Sequence, residues 1–317
     1  MALARDESWT GDWLIENSQK GCQQTGYAGP GNKDYKAFDF TTRAAQALLH
    51  IPALLQIRQN PYTTVILHIS SIMATPRFFS SVPLEPNQTI ELPQELAHHA
   101  LRVLRLKPDT DIVLFDGRGG QYCARLTAEG KKGYAQTGDH QTTEAELPGE
   151  IILAQGLPSG DKMDWVIEKA VELGATRIVP IAAQRSVLQL SGERLVKRMR
   201  HWERIAQSAS EQCGRNRIMH IDEPRTLSAY LAGTELAAQL TLLCHPGAGQ
   251  SLEAALAQHT ASRIALLVGP EGGWSEEEQA AAIRPPIQAV RFGSRVLRTE
   301  TAGLALMAAI AALKGWL

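Results

Sequence analysis

The sequence predicts an α/β protein in which a mostly parallel sheet, covered by helices on both faces, follows a small β-rich domain. After Pro148-Gly149, six short apolar runs alternate with segments of helical periodicity up to the C-terminus. This is the pattern of parallel strands joined by crossover helices. Before that boundary, from Arg77 to about Leu147, short alternating runs are separated by turn signals, which is typical of a small barrel.

The bulk composition is that of a globular protein with room for two cores. The chain has 317 residues, of which 44% are hydrophobic and 21% charged, and its formal net charge is -1. No apolar run approaches the roughly eighteen residues that a membrane span requires, and no signal peptide is recognisable, so we expect a cytoplasmic protein without membrane contact. Because the chain is nearly neutral, any contact with nucleic acid must come from local basic patches.

The cysteines indicate neither a metal site nor a disulfide framework. Cys22, Cys123, Cys213 and Cys244 are far apart and form no CxxC pair. We therefore expect buried or incidental thiols and no bound metal.

Three regions follow from these patterns. Residues 1–72 are irregular, and two interpretations fit them: a disordered or loosely attached extension, or a misplaced start codon ahead of a natural start at Met73. Residues 73–147 form the predicted β-rich domain, and residues 148–317 form the predicted α/β domain.

The β-rich domain contains one predicted helix, over residues 93–106, in addition to strands over residues 112–115 and 122–126. Helical spacing places His98, Arg102 and Arg105 on one face, which suits either an RNA contact or a solvated basic face. The residues expected to pack inward from this helix are Leu96, Ala100, Val103 and Leu104.

The α/β domain contains six predicted strands, over residues 151–154, 178–181, 217–221, 240–244, 264–268 and 287–292. Between the first two strands, Asp161 is expected to cap a helix that Gly174 ends. The apolar side chains of this helix are Met163, Val166, Ile167, Ala170 and Val171. A longer helix over residues 191–213 presents Arg194, Arg198 and His201 on a face opposite its apolar side.

The loops at the carboxyl ends of the strands are where an open α/β sheet binds its ligand. The loop over residues 268–275 holds three glycines, which allow the backbone to approach a ligand closely, and Ser275 with Glu278 forms a capping box. An ordinary turn from strand to helix explains the same residues equally well. A second loop, over residues 292–302, matches neither a phosphate-binding P-loop nor a dinucleotide fingerprint. Its Glu300 fits a catalytic role or a simple interaction with a helix dipole.

Three segments, taken together, resemble the RsmE family of small-subunit rRNA uridine-N3 methyltransferases. They are QGLPSGDKMDWVIEKAVELG at 155–174, GPEGG at 269–273 and FGSRVLRTETA at 292–302. The resemblance extends from about Met73 to the C-terminus, and it departs from the family in small ways, such as Phe292 where the family often has leucine. It implies a PUA-like N-terminal β-barrel domain and a C-terminal SPOUT domain with a trefoil knot. It also implies a homodimer and methyl transfer from S-adenosyl-L-methionine (AdoMet) to one uridine of 16S rRNA in the 30S subunit.

The resemblance also implies where the cofactor lies, and residue chemistry suggests the other roles. AdoMet would lie against Leu243, Cys244, His245, Val268, Gly269, Gly272, Gly273, Phe292, Gly293, Ser294, Val296 and Leu297. Arg298 is the candidate for holding a phosphate or a uracil oxygen, because a guanidinium offers a fixed fork of donors. Glu300 or Glu271 is the candidate base, which a carboxylate can be only where burial raises its pKa. The candidate RNA contacts are Arg77, His98, Arg102, Arg105, Lys162, Arg185 and Arg215.

Two alternatives stay open at the level of sequence. One is a ribosome-assembly factor that keeps the fold and binds RNA without catalysis. The other is a SPOUT methyltransferase that acts on tRNA or on another rRNA atom.

Overall fold

Two β-sheets form the framework of the protein. The computed structural model describes residues 75–130, 132–188 and 190–317. The predictions for residues 1–72, and for a natural start at Met73, lie outside these ranges.

The first sheet has five strands: β1 (Arg77–Phe79), β2 (Thr89–Glu91), β3 (Asp111–Phe115), β4 (Gln121–Glu129) and β5 (Lys132–Gln141). Their order is β1-β3-β4-β5-β2, and every pair is antiparallel except β1 with β3. The two strands predicted here lie within β3 and β4. Alternate residues of β4 point inward, and Tyr122, Ala124 and Leu126 are buried. This one-sided alternation is what allows the sheet to cover a core of its own.

The helix of this domain differs from its prediction in the second half. An α-helix, α1 (Gln94–His98), is followed by a π-helical turn at His99–Val103. The Leu104 N–H donates to the His99 carbonyl at 2.9 Å, which is an i to i+5 bond. Arg105 then takes a left-handed backbone, with φ of 54°. The predicted helical face of His98, Arg102 and Arg105 is therefore wrong.

The same π-turn changes which apolar side chains of this segment are buried. Leu96 and Ala100 are buried as predicted, whereas 59% of Val103 and 46% of Leu104 are exposed. The wider turn rotates the last two residues away from the sheet, so their predicted packing is wrong.

The second sheet has seven strands: β6 (Glu150–Gly156), β7 (Ala175–Ile181), β8 (His220–Ile221), β9 (Leu240–Cys244), β10 (Gln250–Ser251), β11 (Arg263–Val268) and β12 (Gln288–Arg291). Their order is β10-β12-β9-β11-β6-β7-β8, and all pairs are parallel. The six predicted strands are confirmed, with β8 shorter than expected. The short strand β10 was not predicted, because two residues carry no periodic signal.

Helices cover both faces of this sheet. They are α2 (Lys162–Glu172), α3 (Gly192–Cys213), α4 (Leu227–Leu231), α5 (Leu252–Ala257), α6 (Glu276–Ala282) and α7 (Thr299–Leu313). Within β6, Ile151 and Leu153 join the core that includes side chains of α2 and α7, while Ile152 and Ala154 join the core on the other face. The predicted doubly covered parallel sheet is confirmed.

Helix α2 packs as the sequence indicates but begins differently. All five of its predicted apolar residues are buried, and Gly174 follows the helix with φ of 85°, a conformation that glycine adopts at little cost. Asp161 occupies the N-cap position without a side-chain cap bond, so its predicted capping is wrong. Asp164 instead holds helix α3, because it accepts from Trp202 Nε1 at 3.0 Å.

Two arginines that were predicted to bind RNA are instead held by partners within the protein. The Arg215 side chain is only 3% exposed and donates to both carboxylate oxygens of Glu146. Arg77 donates to Gln121 and to Asn216 Oδ1, and burial lowers the pKa of its guanidinium. Both predictions as RNA contacts are wrong, because a guanidinium with these buried partners has few donors left for a phosphate.

We expect the Arg215 ion pair to contribute strongly to the stability of the protein. Arg215→Met should lower the free energy of unfolding by about 3–5 kcal/mol, because Glu146 is left as an uncompensated, mostly buried charge. Urea unfolding measures this loss.

Arg217→Met is the matched control, since Arg217 is exposed, and it should change stability by less than about 0.5 kcal/mol. The double variant Arg215→Met/Glu146→Gln should regain part of the loss. Equal stability of the Arg215 and Arg217 variants would contradict this assignment.

Candidate active site

A cleft of about 880 Å³ lies at the carboxyl ends of three neighbouring strands of the parallel sheet. The strands are β12, β9 and β11, and each contributes the loop that follows it. Because parallel strands present all their carboxyl ends at one edge, loops that are distant in sequence meet here. The volume is in the usual range for a small-molecule site, roughly 300–1,000 Å³.

Most of the residues predicted to contact a cofactor line this cleft. They are Cys244, His245, Val268, Gly269, Gly273, Phe292, Gly293, Ser294, Val296 and Leu297. Two others do not line it. Leu243 is fully buried in the core between the sheet and its helices, and the carbonyl of Gly272 accepts from Arg185 at 3.2 Å.

Pro246, Pro270 and Arg295, which lie within the loops predicted to contact the cofactor, also line the cleft. The structure adds lining residues outside those loops, namely Trp274, Gln279, Arg291, Thr299 and Ala302. Their proximity to the glycine-bearing loops was the only available signal. The capping box of Ser275 and Glu278 is confirmed, and it fixes where helix α6 starts after the loop.

The loop that follows β11 crosses the end of β6 at very short range. A Cβ atom added to Gly156 would lie 2.5 Å from Pro270 Cδ and 2.8 Å from the carbonyl carbon of Gly269. No residue with a side chain fits at such distances, so glycine at position 156 is a steric requirement. This contact fixes the distance between the loop and the end of β6.

Glu271 clamps the same loop to the start of helix α2. Its carboxylate accepts from Ser159 Oγ at 2.8 Å, from the Ser159 N–H at 2.9 Å and from Lys162 Nζ at 2.6 Å. Partial burial by itself would raise the pKa of Glu271, but these hydrogen bonds outweigh it and lower the pKa to about 2. A carboxylate of this kind holds a proton too weakly to act as a base, so the prediction of Glu271 as base is wrong.

Lys162 lies between two carboxylates instead of facing solvent alone. Its Nζ is 2.6 Å from Glu271 Oε1 and 3.7 Å from Glu300 Oε1. The hydrogen bond with Glu271 raises the pKa of Lys162, which keeps the ammonium charged. Lys162 also lines the cleft, and its role as an RNA contact stays a prediction.

Arg298 and Glu300 flank Thr299 at the start of helix α7, and both line the cleft. Arg298 is exposed at the N-cap position and lines the cleft, and within the described ranges its guanidinium makes no ion pair. The Glu300 side chain is 16% exposed. Its Oε2 is buried without a hydrogen-bond partner among the described residues.

The polarity of the cleft suits a ligand with both apolar and hydrogen-bonding parts. Val268, Phe292 and Leu297 supply apolar surface, and Trp274 Nε1 is a second buried polar atom without a described partner. Burial raises the pKa of the Cys244 thiol, so this cysteine stays neutral.

Within the residues that the structure describes, no cluster of three or more His, Cys, Asp or Glu side chains could hold a metal. No helix in those ranges is long and apolar enough to cross a membrane.

Positive charge surrounds the mouth of the cleft. Arg185, Arg291 and Arg295 line it and are exposed. His98, Arg102 and Arg105 are exposed on the β-rich domain. They do not line the cleft.

Comparison with known proteins agrees with this geometry. A family model of the RNA methyltransferase domain matches residues 145–311, and a model of the RNA methyltransferase PUA domain matches residues 92–135. The ribosomal RNA small subunit methyltransferase E of a Synechocystis species is 32% identical over 227 residues, which cover 71% of this chain and 73% of that protein. The chain belongs to this RNA methyltransferase family. The resemblance found in the sequence is thereby confirmed, as are the PUA domain and the activity of an rRNA methyltransferase.

Solved structures of methyltransferases share the fold. A ribosomal RNA small subunit methyltransferase E from Neisseria gonorrhoeae, bound to S-adenosyl methionine, is 39% identical with a TM-score of 0.70, covering 75% of this chain and 98% of that one. A putative methyltransferase from Legionella pneumophila, in complex with the bound cofactor SAM, is 30% identical with a TM-score of 0.68. That comparison covers 76% of this chain and 97% of the other.

We expect the Glu271 clamp to make a contribution to stability that depends on pH. Because the pKa of Glu271 falls from 4.5 to about 2 in the folded protein, its contribution is fully present above the unfolded value and is lost as the pH falls toward 2. The urea midpoints of the wild type and Glu271→Gln should therefore differ at pH 7 and converge between about pH 5 and about pH 2.5.

Glu276→Gln, at an exposed position in the first turn of α6, controls for the loss of one negative charge. If the difference between the wild type and Glu271→Gln stayed constant across this range, the clamp would not hold a charged carboxylate.

Proposed function

We propose that this methyltransferase transfers a methyl group from AdoMet to N3 of one uridine in 16S rRNA, with the assembled 30S subunit as its substrate. The observation that carries the proposal is the presence of Arg298 and Glu300, two residues apart at the start of α7, in the lining of one cleft. The Arg298 guanidinium is exposed, and Glu300 Oε2 is buried without a described hydrogen-bond partner. Such a pair can remove a proton and stabilise the charge that results.

The cofactor part of the proposal is supported by the cleft and by the relatives. AdoMet, when bound, supplies an electrophilic methyl group on a sulfonium. The residues that would hold it are the glycine-bearing backbone of the loops after β11 and β12, together with the apolar side chains of Val268, Phe292 and Leu297. Trp274 Nε1 is a donor without a partner, and an acceptor on the cofactor would satisfy it. The solved relatives from Neisseria and Legionella carry this cofactor.

Uridine N3 is a poor nucleophile because it carries a proton. We assign the removal of that proton to Glu300, whose Oε2 has no described partner, and not to Glu271, whose oxygens are taken by Ser159 and Lys162. Lys162, 3.7 Å from the other oxygen of Glu300, orients this carboxylate.

As N3 loses its proton, negative charge spreads to the neighbouring carbonyl oxygens of uracil. We assign the stabilisation of this charge to Arg298, since its planar guanidinium can donate two hydrogen bonds to one oxygen or to a flanking phosphate. Its exposure at the mouth of the cleft leaves the guanidinium available to RNA.

The base must leave its stacking or pairing partners before N3 can enter the cleft. Structured RNA is therefore the proposed substrate. Arg185, Arg291 and Arg295 would contact the backbone near the target, and His98, Arg102 and Arg105 would contact it further away. We also propose that the enzyme acts in the cytoplasm as a homodimer. Apolar side chains that remain exposed on α2 and α7, Trp165 at 44% and Leu313 at 51%, support the dimer.

The test of the proposed reaction uses 30S subunits from cells that lack the enzyme. Incubation with the purified protein and labelled AdoMet should introduce one 3-methyluridine per subunit, identified by nucleoside mass analysis of 16S rRNA fragments. Free 16S rRNA and tRNA serve as competing substrates. Label in tRNA, or in another nucleoside, would replace the uridine N3 assignment. AdoMet binding without transfer to any RNA would favour an assembly factor.

Arg298→Ala should lower methyl transfer in this assay by about 100- to 1,000-fold, the usual effect of removing a donor that stabilises developing charge. The matched control is Arg284→Ala, since Arg284 is exposed and does not line the cleft, and it should keep wild-type turnover. Circular dichroism and thermal unfolding check that both variants fold. Wild-type turnover in Arg298→Ala would remove this residue from the mechanism.

A further inference from the structure

A buried chain of hydrogen bonds runs beneath the cleft. Gln155 Nε2 donates to Thr299 Oγ1 at 2.8 Å and to the Gly156 carbonyl at 3.0 Å. The Thr299 hydroxyl in turn donates to the Gly269 carbonyl. Gln155 is fully buried and Thr299 is 7% exposed, so water does not compete for these bonds.

The direction of this chain is determined by its chemistry. A threonine hydroxyl has one proton, and the Gln155 amide already donates to its oxygen, so the proton is left for Gly269. Turning the Gln155 amide over would place its oxygen toward both Thr299 and the Gly156 carbonyl, and the bond to Gly156 would be lost. The amide orientation that makes both bonds therefore also commits the hydroxyl to Gly269.

The three residues belong to three different segments of the site. Gln155 lies near the end of β6, Gly269 is the first residue after β11, and Thr299 is the first residue of α7. Thr299 is flanked by Arg298 and Glu300, the pair assigned to the chemistry. The Thr299 hydroxyl thus connects the loop after β11 to the first turn of α7, next to Arg298 and Glu300.

We propose that Thr299 is a positioning residue. Its hydroxyl fixes the loop after β11 relative to the start of α7, and this fixes the positions of Arg298 and Glu300 relative to the loop. The inference rests on the proposed function. The contact between Gly156 and Pro270 prevents the loop from moving toward the sheet. The Thr299 bond prevents the Gly269 peptide from rotating away from it. Together they leave the loop preorganised before any ligand arrives, which lowers the cost of binding.

The most direct test of this role compares the variants Thr299→Val and Thr299→Ser. Valine has nearly the same shape as threonine but no hydroxyl, and serine keeps the hydroxyl but lacks the methyl group. Thr301→Val is the matched control, since Thr301 lies on the same turn and is exposed. Four quantities are measured for each protein: the Kd for AdoMet by calorimetry, kcat and KM for 30S subunits, and the melting temperature.

We expect Thr299→Val to raise the Kd for AdoMet about 10-fold, as the loss of one buried hydrogen bond would, and to lower kcat by up to about 100-fold through misplacement of the reacting groups. KM for 30S subunits should stay within about 3-fold, because the RNA contacts at the mouth do not depend on Thr299. Thr299→Ser and Thr301→Val should stay within about 3-fold of the wild type in all of these constants.

The outcomes separate this inference from the proposed function. A wild-type protein that binds no AdoMet would contradict the proposed function itself. If the wild type binds and Thr299→Val binds equally well, the positioning role is overturned, even where the melting temperature falls. If Thr299→Val does not fold, Thr299→Ala takes its place. Failure of both to fold while Thr299→Ser folds would show a role in folding alone and would also overturn the inference.

Discussion

The close crossing of the 269–273 loop over the end of β6 is the constraint on which the rest of the site depends. Gly156 lacks a Cβ, so Pro270 and Gly269 lie directly on the strand. Gly303 plays a similar part on α7, since a Cβ there would lie 2.9 Å from a methyl group of Leu153. The 269–273 loop and α7 therefore approach β6 more closely than residues with side chains would allow. These close contacts form the base of the cleft.

The charged side chains around the cleft are of two kinds. Some are engaged in ion pairs that hold the structure, and others have atoms without a partner among the described residues. Glu271 and Lys162 form an ion pair that connects the loop after β11 to α2. This pairing removes Glu271 as a base and leaves Glu300 as the carboxylate with an unoccupied oxygen. Glu271 thus has a structural role, and Glu300 is the carboxylate that we propose for the chemistry. Hydrogen-bond partners and burial distinguish the two.

The arginines divide in the same way. Arg215 is paired with Glu146, and Arg77 of β1 donates to Asn216, so both are engaged inside the protein. Arg185, Arg291, Arg295 and Arg298 surround the cleft and are exposed. A chain with almost no net charge can still present RNA with a concentrated positive surface, because burial removes some of its cations from solvent and the fold gathers others at one edge.

Periodicity and local motifs in the sequence predict the parallel α/β sheet, five apolar positions of α2, the capping box of α6 and two of the loops that line the cleft. These features follow from periodicity and from residues with strong local preferences, which are legible within a few positions. The resemblance to a known family supplied the cofactor and the RNA, which periodicity could not. Only the tertiary structure decided the roles of Arg215, Glu271 and Thr299. The position of a charge in sequence does not reveal its burial or its partners, and those partners lie 69, 112 and 30 residues away along the chain.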